Sequence, residues 1–562
     1  MLETPQSQTR KISWTRVVTF SIVVLGTLVN LLFIIPNGDY SCQQGVCGIR
    51  IGEWHYHDAL WHIAVARNSF TSFPFVFPSA AGFALTSYNY LLGAILFLFE
   101  KLWINPFFTY FKVLPIVGNI ALIYTLFRYF RLTHKTETQI LWITFFMYFG
   151  SSFSFLLILY RNNFAEFSIL KGFPVVATLQ PAFVTSNIQF FLTIPILLFI
   201  LTNIFQISIS RKIIILQCIL LALTVGLKLY SAILVLVLLL IGTLVHRNSR
   251  NIWRTILLTS LLYLVVFIVS TYILYLPFGK DGVGIPFVWS PVSIPHVITE
   301  SPGLFYHKDF TLGRYFMYGL QRVSPRLIFY ELISISIFLL LNLGSRFVGL
   351  LGITSDVIRR KLNLESALLA ITGSLCMLLP TLFIQKGGGW YNTIQFAYIG
   401  IFFMGILAGL TIARLWNSHR ILLRLIVCIA IILTIPNNIL TLKLIAKPKE
   451  LIPAQELLAL SILRQQPMGI VLSFPDYKNS SYVPALSSKV GYMIDYEQAA
   501  LLSLPTERMI KDVESRECSV LDKVDYVYLN SPQGAEFASC PTYKNEFKQI
   551  YRSGSISIRK KI

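Results

Sequence analysis

Long runs without a single Asp, Glu, Lys or Arg dominate this chain: Val17 to Ile35, Ile140 to Tyr160, Ile256 to Leu276 and Ser366 to Gln385. At about 1.5 Å per residue, each can carry a helix across a hydrocarbon layer of roughly 30 Å. In lipid every backbone N–H and C=O has to be satisfied internally, which leaves helices or closed barrels. Barrel strands alternate apolar and polar residues, and these runs do not. Only 13% of the 562 residues are charged, against roughly 25% in soluble chains. The chain reads as an all-α polytopic membrane protein, and a soluble single-core enzyme is excluded.

A formal charge of +21 invites a nucleic-acid reading, so the placement of the cations has to decide. Arg10, Lys11 and Arg16 precede the first apolar run. Arg247, Arg250 and Arg254 fall in one short loop, Arg346, Arg359, Arg360 and Lys361 in another, and Arg414, Arg420 and Arg424 in a third. This is the positive-inside pattern, and no aromatic and basic stripe accompanies it, so no nucleic-acid partner is expected. Val17 to Ile35 is longer than a signal-peptide core and lacks a small-x-small cleavage site after it, so it reads as a retained helix.

About twelve apolar segments can be counted, centred near residues 26, 93, 120, 150, 196, 220, 237, 266, 335, 375, 403 and 433. The three basic loops are separated by pairs of spans and share the cytoplasmic side. The first loop (36–87), the large loop (277–326), Lys386 to Asn392 and everything after residue 442 then face outward. An inside N-terminus with an outside tail needs an odd number of spans. The conflict falls between residues 85 and 135, leaving 11 to 13 transmembrane helices. The expected organisation is a membrane domain over 1–442 and a small extracytoplasmic α/β domain over 443–562, in the plasma (inner) membrane. In that tail Gly469 to Phe474, Tyr526 to Asn530 and Ser555 to Arg559 read as strands and Ala454 to Arg464 as a helix.

Cys218, Cys376 and Cys428 lie within apolar spans. The other four cysteines fall as two pairs, Cys42 with Cys47 in the first loop and Cys518 with Cys540 in the tail, in regions expected outside, where disulfides persist. A zinc site built from all four and unpaired thiols stand as alternatives. The tail holds no phosphate loop, HExxH or GxSxG motif.

The most unusual stretch is Gly52-Glu-Trp-His-Tyr-His-Asp58-Ala-Leu-Trp-His62-Ile-Ala, which carries three of the eight histidines. From Asp58 onward the pattern is helical, with Asp58 and His62 along one face. Asp58 would then sit near a helix start, where a carboxylate caps free N–H groups. In a second reading it lies at the membrane boundary, on a helix anchored by Trp54 and Trp61 at headgroup depth, and deprotonates an acceptor hydroxyl. In a third, Asp58 and His62, at i and i+4, share a metal with His55 and His57 of a non-helical lead-in. Phe73-Pro-Phe-Val-Phe-Pro78-Ser-Ala-Ala-Gly82, followed by Leu85 to Gly93, reads as an aromatic, proline-rich return into the membrane, most of it a packed re-entry loop.

A basic N-terminus, one helix, an outside loop whose acid opens an amphipathic helix (His57-Asp58-Ala-Leu-Trp-His-Ile-Ala) and a proline-rich re-entry together resemble the GT-C superfamily of membrane glycosyltransferases, in particular those like glycosyltransferase family 39. The resemblance implies transfer of a hexose or pentose from a polyprenyl-phosphate-linked donor to an extracytoplasmic acceptor in the cell envelope. It makes Asp58 the catalytic base or a metal ligand. Here a single acid stands between His57 and Ala59, where the commonest form has an Asp-x-Asp or Asp-Glu pair, so a divalent metal is left open.

Beside Asp58, the expected substrate contacts are His57 and His62 together with cations for the donor phosphate. Lys228 is the charge most embedded in apolar sequence. Arg314 and Arg322 lie in the large loop and Lys386 precedes Gly387-Gly-Gly-Trp-Tyr-Asn392. Inversion follows if Asp58 takes the acceptor proton while a cation stabilises the departing lipid phosphate. Two other functions stay open: a non-catalytic scaffold with the same core, and a lipid or solute transporter, for which Glu331 is the one clear carboxylate inside a span.

Overall fold

Apolar length decides where helices run, and glycine, serine and proline decide where they break. The computed structural model describes residues 13–43, 45–161, 187–206, 210–245, 252–275, 287–300, 306–385, 392–446, 449–474, 480–530, 537 and 539–562. Its membrane part comprises α1 (Trp14–Ile34), α2 (Glu53–Asn68), α3 (Leu91–Lys101), α4 (Pro106–Leu132), α5 (Glu137–Tyr148), α6 (Ser154–Arg161), α7 (Ile188–Ile204), α8 (Arg211–Leu227), α9 (Leu229–Val245), α10 (Ile252–Leu274), α11 (Pro325–Leu343), α12 (Phe347–Ile358), α13 (Leu364–Leu382), α14 (Ile394–Trp416), α15 (Ile421–Ile432) and α16 (Ile435–Ala446). Among the described residues seven helical stretches have the length and apolarity to cross a membrane, and α7 and α9 are shorter apolar helices.

The bundle is built around α14, buried along almost its whole length. It can be enclosed because small residues line it: a Cβ at Gly409 would stand 2.4 Å from the Ile143 Cα in α5, and one at Gly349 in α12 would meet the Ala408 backbone at 2.8 Å. Such contacts let helix backbones approach where lipid offers no hydrophobic drive between helices. One end of the bundle gathers ion pairs, Arg16 with Glu137 at 2.6 Å, Lys135 with Glu365 at 2.5 Å and Arg414 with Asp356 at 2.6 Å. The polar loop surface and the tail lie at the other.

Three features of the membrane part differ from the sequence expectation. The apolar segment near residue 93 is α3, only 11 residues long, about 16 Å by the helix rise and too short to span. It lies against α2, and Glu100 near its end binds both Arg67 of α2 and Arg464 of the tail. The run Ile140 to Tyr160 is divided between α5 and α6 at Gly150-Ser151-Ser152. Arg346, grouped above with a cytoplasmic loop, is buried in a second break between α11 and α12 and donates to the Gly150 carbonyl. The two breaks lock together: Ser151 N donates to Ser345 Oγ (3.1 Å) and Ser345 N to Ser151 O (3.0 Å). A third, between α15 and α16, joins them, with Ser151 Oγ donating to Leu433 O (3.1 Å) and Asn437 Nδ2 to Ser152 O (2.9 Å). Each interruption supplies partners for the backbone groups freed by the others, which is the condition for irregular backbone at membrane depth.

The tail carries a five-stranded sheet of order β7 (Val490–Gly491), β6 (Ile470–Phe474), β8 (Tyr526–Leu529), β10 (Ile556–Lys561) and β9 (Phe547–Ser553). β6 runs parallel to β7 and β8, whereas β10 is antiparallel to β8 and β9. α17 (Ala454–Gln465) packs against it. A shorter strand, β5 (Glu450–Pro453), leaves the tail to pair with β2 (Val46–Ile51), which pairs with β1 (Asp39–Gln43) in the first loop. Disulfides join Cys42 to Cys47 across that hairpin and Cys518 to Cys540 in the tail.

The proline-rich stretch is a packed loop. It folds back on itself, with Phe77 N donating to Phe83 O (2.9 Å) and Leu85 N to Phe75 O (2.7 Å), and then extends the tail's sheet edge. Gly491 N donates to Pro78 O at 2.8 Å, Ala81 N to Tyr492 O at 3.0 Å and Ile494 N to Ser79 O at 2.9 Å. The edge strand β7 is thereby covered and the first loop is fixed to the tail.

Inside the tail one carboxylate oxygen, Oε2 of the buried Glu456, accepts from Tyr482 Oη (2.9 Å), Tyr528 Oη (3.0 Å) and Asn530 Nδ2 (3.0 Å). Glu456→Leu removes the shared acceptor of these three donors, of which Asn530 keeps a bond to Tyr482 Oη (3.2 Å), and is expected to cost about 3 kcal/mol. Faster proteolysis of the tail in the full-length protein, with partial recovery in Glu456→Gln, checks this.

Candidate active site

α2 is set in place from its first turn. Gly52 stands at its N-cap and donates to Asn37 Oδ1 at 2.6 Å, while Asn37 Nδ2 closes the last carbonyls of α1 at Phe33 (3.2 Å) and Ile34 (2.7 Å). The helix therefore starts at Glu53, five residues before the position the sequence pattern suggests, and Asp58 lies in its second turn. Helix capping does not account for this acid. His55 and His57 are helical too, and two residues apart they point in different directions. His55 Nε2 bonds the Phe33 carbonyl at 3.0 Å, toward α1, and His57 faces the tail. Trp61 is buried against Phe77 (5.0 Å between ring centres) and Tyr88 (5.5 Å), so it packs the loop instead of anchoring at headgroups. The side chain of Trp54 lies outside the described set.

Asp58 and His62, one turn apart, face a cavity of about 190 Å³ bounded by the bundle, the first loop and the tail helix α18 (Tyr496–Leu501). Asp58 Oδ2 accepts from Asn187 Nδ2 at 3.2 Å, and Asn187 also caps α7 through Phe190 N at 3.1 Å. The carboxylate keeps about 40% of its surface toward the cavity. Lys228 reaches the same space because α8 and α9 are interrupted there: it is extended, and Asn89 Oδ1 accepts from Leu229 N at 3.0 Å to start α9. The Lys228 side chain is buried and its charge is felt at Asp58.

His57 bridges two carboxylates. Its Nε2 lies 3.2 Å from Asp495 Oδ1 and its Nδ1 3.8 Å from Asp58 Oδ1. Asp495 is fully buried, accepts from Ser481 Oγ at 2.7 Å and from Gln498 N at 3.0 Å, and caps α18. Burial alone pushes the His57 pKa down, but Asp495 first and Asp58 second outweigh it and raise it well above the usual histidine value. Burial pushes both acids up, and the charge of His57 overcomes it, so Asp58 and Asp495 end below the usual carboxylate range. His62 behaves oppositely: burial, with Lys228 and His57 adding to it and Asp58 opposing, lowers it to about 3, so it is neutral. It stacks on Tyr110 in a π-helical turn of α4 (6.1 Å) and its Nδ1 lies 3.4 Å from Tyr88 Oη.

The remaining lining is rich in side-chain amides: Asn89, Gln189, Asn187, Gln385, Asn392 and Gln395. Gln385 Nε2 donates to Leu501 O at 3.1 Å, a second tie to the tail, and Gln395 Oε1 is buried without a partner among the described residues. Composition offers one signal for them, since they are amides at the edges of otherwise apolar runs. Nothing local marks Asp495.

Of the residues singled out from sequence, the structure brings together Asp58, His57, His62 and Lys228. Arg314 does not reach the cavity. It is fully buried in the helix Lys308–Gly319, paired with Glu300 and bonded to Thr299 Oγ1 (3.3 Å) and Ser334 Oγ (3.2 Å), so its donors hold the large loop together. Arg322 is an exposed turn residue away from the cavity lining. Lys386 lies outside the described residues. Glu331 is tied at the loop end of α11 by Tyr318 Oη and His296 Nε2, each at 2.7 Å. Among the described residues no three His, Cys, Asp or Glu side chains gather as a metal-holding group.

No protein-family model matches the chain, and no curated protein matches it in sequence. Among solved structures it is similar to the archaeal oligosaccharyltransferase AglB from Archaeoglobus fulgidus in complex with an inhibitory peptide and a dolichol-phosphate, at 11% identity and TM-score 0.47, over 97% of this chain and 74% of that one. The apo form of the Archaeoglobus fulgidus oligosaccharyltransferase gives 11% and 0.46 over 96% and 74%. ArnT from Cupriavidus metallidurans bound to undecaprenyl phosphate gives 12% and 0.37 over 98% and 99%. At these identities and scores no residue's role transfers.

The His57–Asp495 pair fixes a pH dependence. The raised His57 pKa means its stabilisation is complete below about 6.5 and is lost as pH rises through the elevated value. The lowered Asp495 pKa means its contribution is lost only in strong acid. His57→Ala is therefore expected to cost about 3 kcal/mol at pH 5 to 6 and progressively less in alkaline buffer. Unfolding of the detergent-solubilised protein, followed across pH, checks this; a cost that stays constant or grows with pH contradicts the ion pair.

Proposed function

We infer that the chain is an integral membrane glycosyltransferase that moves a hexose or pentose from a polyprenyl-phosphate-linked donor to an extracytoplasmic acceptor, with inversion. The observation that carries this is the meeting of Asp58 and Lys228, distant in sequence, in one cavity between apolar helices and the tail. In this reading the ion-paired end of the bundle faces the cytoplasm, and the cavity and a tail domain from about residue 443 face outward, in the plasma (inner) membrane.

The acceptor hydroxyl lies against Asp58 and attacks the anomeric carbon as the bond to the donor phosphate breaks. The proton passes to Asp58, and the lipid phosphate departs with the bonding electrons and is stabilised by the Lys228 ammonium. A lowered pKa keeps Asp58 ionised at the expense of base strength. It suits a late proton transfer, when the attacking oxygen has already turned acidic through bonding to an oxocarbenium-like carbon. The amides offer paired donors and acceptors for sugar hydroxyls. A divalent metal would have to take Asp58 with ligands beyond the side chains gathered here.

The test is transfer of radiolabelled sugar from a panel of polyprenyl-phosphate donors by membranes carrying equal amounts of each variant, with and without chelator. Asp58→Asn is expected to lower transfer by about 10²- to 10⁴-fold, and Lys228→Ala by about 10²-fold or more. His57→Gln removes the group that depresses Asp58, so the acid limb of the pH profile moves to higher pH. Equal transfer by wild type and Asp58→Asn would remove Asp58 from catalysis, and loss of wild-type activity with chelator would assign the carboxylate to a metal.

A further inference from the structure

A second recess lies at the far end of α2, sharing no residue with the Asp58 cavity. It encloses about 360 Å³ between α2, α3 and α17. Its walls carry Arg67, Lys101 and Arg464, and Lys489 stands directly behind, with Nζ donating to the Arg464 and Gln466 carbonyls at 3.4 and 3.0 Å. The carboxylate among these four cations is Glu100, which takes Arg67 Nε at 3.0 Å and Arg464 Nη2 at 2.7 Å. Lys101 makes no ion pair among the described residues; its ammonium lies 5.2 Å from the Phe97 ring centre. The Arg67 side chain and Lys489 are buried, Arg464 is part-exposed and Lys101 is exposed at the rim, and gathering like charges on buried groups is unfavourable unless an anion answers them. Burial lowers Arg67 to about 10 against the opposing charge of Glu100, with Arg464 adding a smaller push, and burial followed by the charge of Arg464 lowers Lys489 to about 8.

What borders the recess says which anion. The chain leaves α3 through Leu102 and Trp103, and Trp103, part of the recess wall, is 98% exposed. Leu98 and Phe108, before and after it in the chain, are exposed as well, and Ile116, Ile120 and Tyr124, four residues apart, form an exposed apolar stripe along the spanning helix α4. An exposed tryptophan at the head of a lipid-facing stripe belongs at the membrane interface, where its ring sits among headgroups. A cationic recess at that level meets lipid phosphates before it meets solutes.

We propose that the recess formed by Arg67, Lys101 and Arg464 beneath Trp103 is a binding site for the phosphate of an anionic membrane lipid. The two guanidiniums and the ammonium supply charge-assisted donors to the phosphate oxygens, and Trp103 packs on the acyl-chain side of the headgroup. Glu100 holds the arginines when the site is empty and competes with the lipid. The site is independent of the transfer chemistry above.

Native mass spectrometry of the full-length protein in detergent, with phosphatidylglycerol or phosphatidylcholine added, tests this. Wild type is expected to retain phosphatidylglycerol about tenfold more strongly than phosphatidylcholine, and Lys101→Ala with Arg464→Ala to lose that preference. Glu100→Gln removes the competitor and is expected to bind phosphatidylglycerol more tightly, a gain that misfolding cannot imitate. Equal retention of both lipids by wild type, or an unchanged preference in the double variant, overturns the proposal. Displacement of phosphatidylglycerol by inorganic phosphate at equal concentration overturns the lipid assignment and leaves a site for free phosphate.

Discussion

The hydrogen bond between His57 and the buried Asp495 is the contact on which the candidate site depends. Asp495 has no access to water, so its charge is tolerable only because His57, Ser481 and the Gln498 N–H answer it. The same imidazolium stands beside Asp58, so one cation ties the tail to α2 and holds the cavity carboxylate ionised. The loop at residues 76–85, paired to the edge at β7, and Gln385 bonded to Leu501 O close the joint from two other sides. The cavity is thus a property of the assembled chain, since its walls come from the first loop, the bundle and the tail.

Interrupted helices do the rest of the positioning. Lys228 reaches the cavity because α8 and α9 part there and Asn89 caps the second of them. The serine-rich breaks at Gly150 and Gly344, with the turn at Leu433, interlock in the bundle, and the buried Arg346 donates there to the Gly150 carbonyl. In each place the freed backbone groups survive in an apolar setting because their neighbours are fixed to bond them. The short helix α3 packs on α2 and, with α2 and α17, walls the cationic recess beneath Trp103.

Much of the architecture was legible because hydrocarbon imposes a simple rule on composition. Uncharged runs gave most of the spans, and the tail's short β-branched segments gave β6, β8 and β10 within a residue or two. The cysteines expected outside pair as two disulfides. Length misled where hydropathy alone was used: the segment near residue 93 is apolar and packs against α2, and Phe73 to Gly82 is apolar and folds into a loop that pairs with the tail's sheet edge. The start of α2 was misplaced because its N-cap is glycine, whose partner Asn37 lies 15 residues away and leaves no local signature.

Four of the candidate side chains, His57, Asp58, His62 and Lys228, stood out in sequence because charged and imidazole groups are costly beside apolar runs. The same reasoning raised Arg314, and there it failed: the expense is met by Glu300, Thr299 and Ser334, a local structural use that sequence cannot tell from a site. By itself, then, the sequence determined that the chain crosses a membrane many times, which segments are helical and which residues carry unusual charge, since these follow from local composition. Tertiary structure alone decided that Asp58 shares a cavity with Lys228, that Asp495 stands behind His57, and that Arg67, Lys101 and Arg464 converge. Electrostatic partnership depends on distance in space, and these partners lie tens to hundreds of residues apart along the chain.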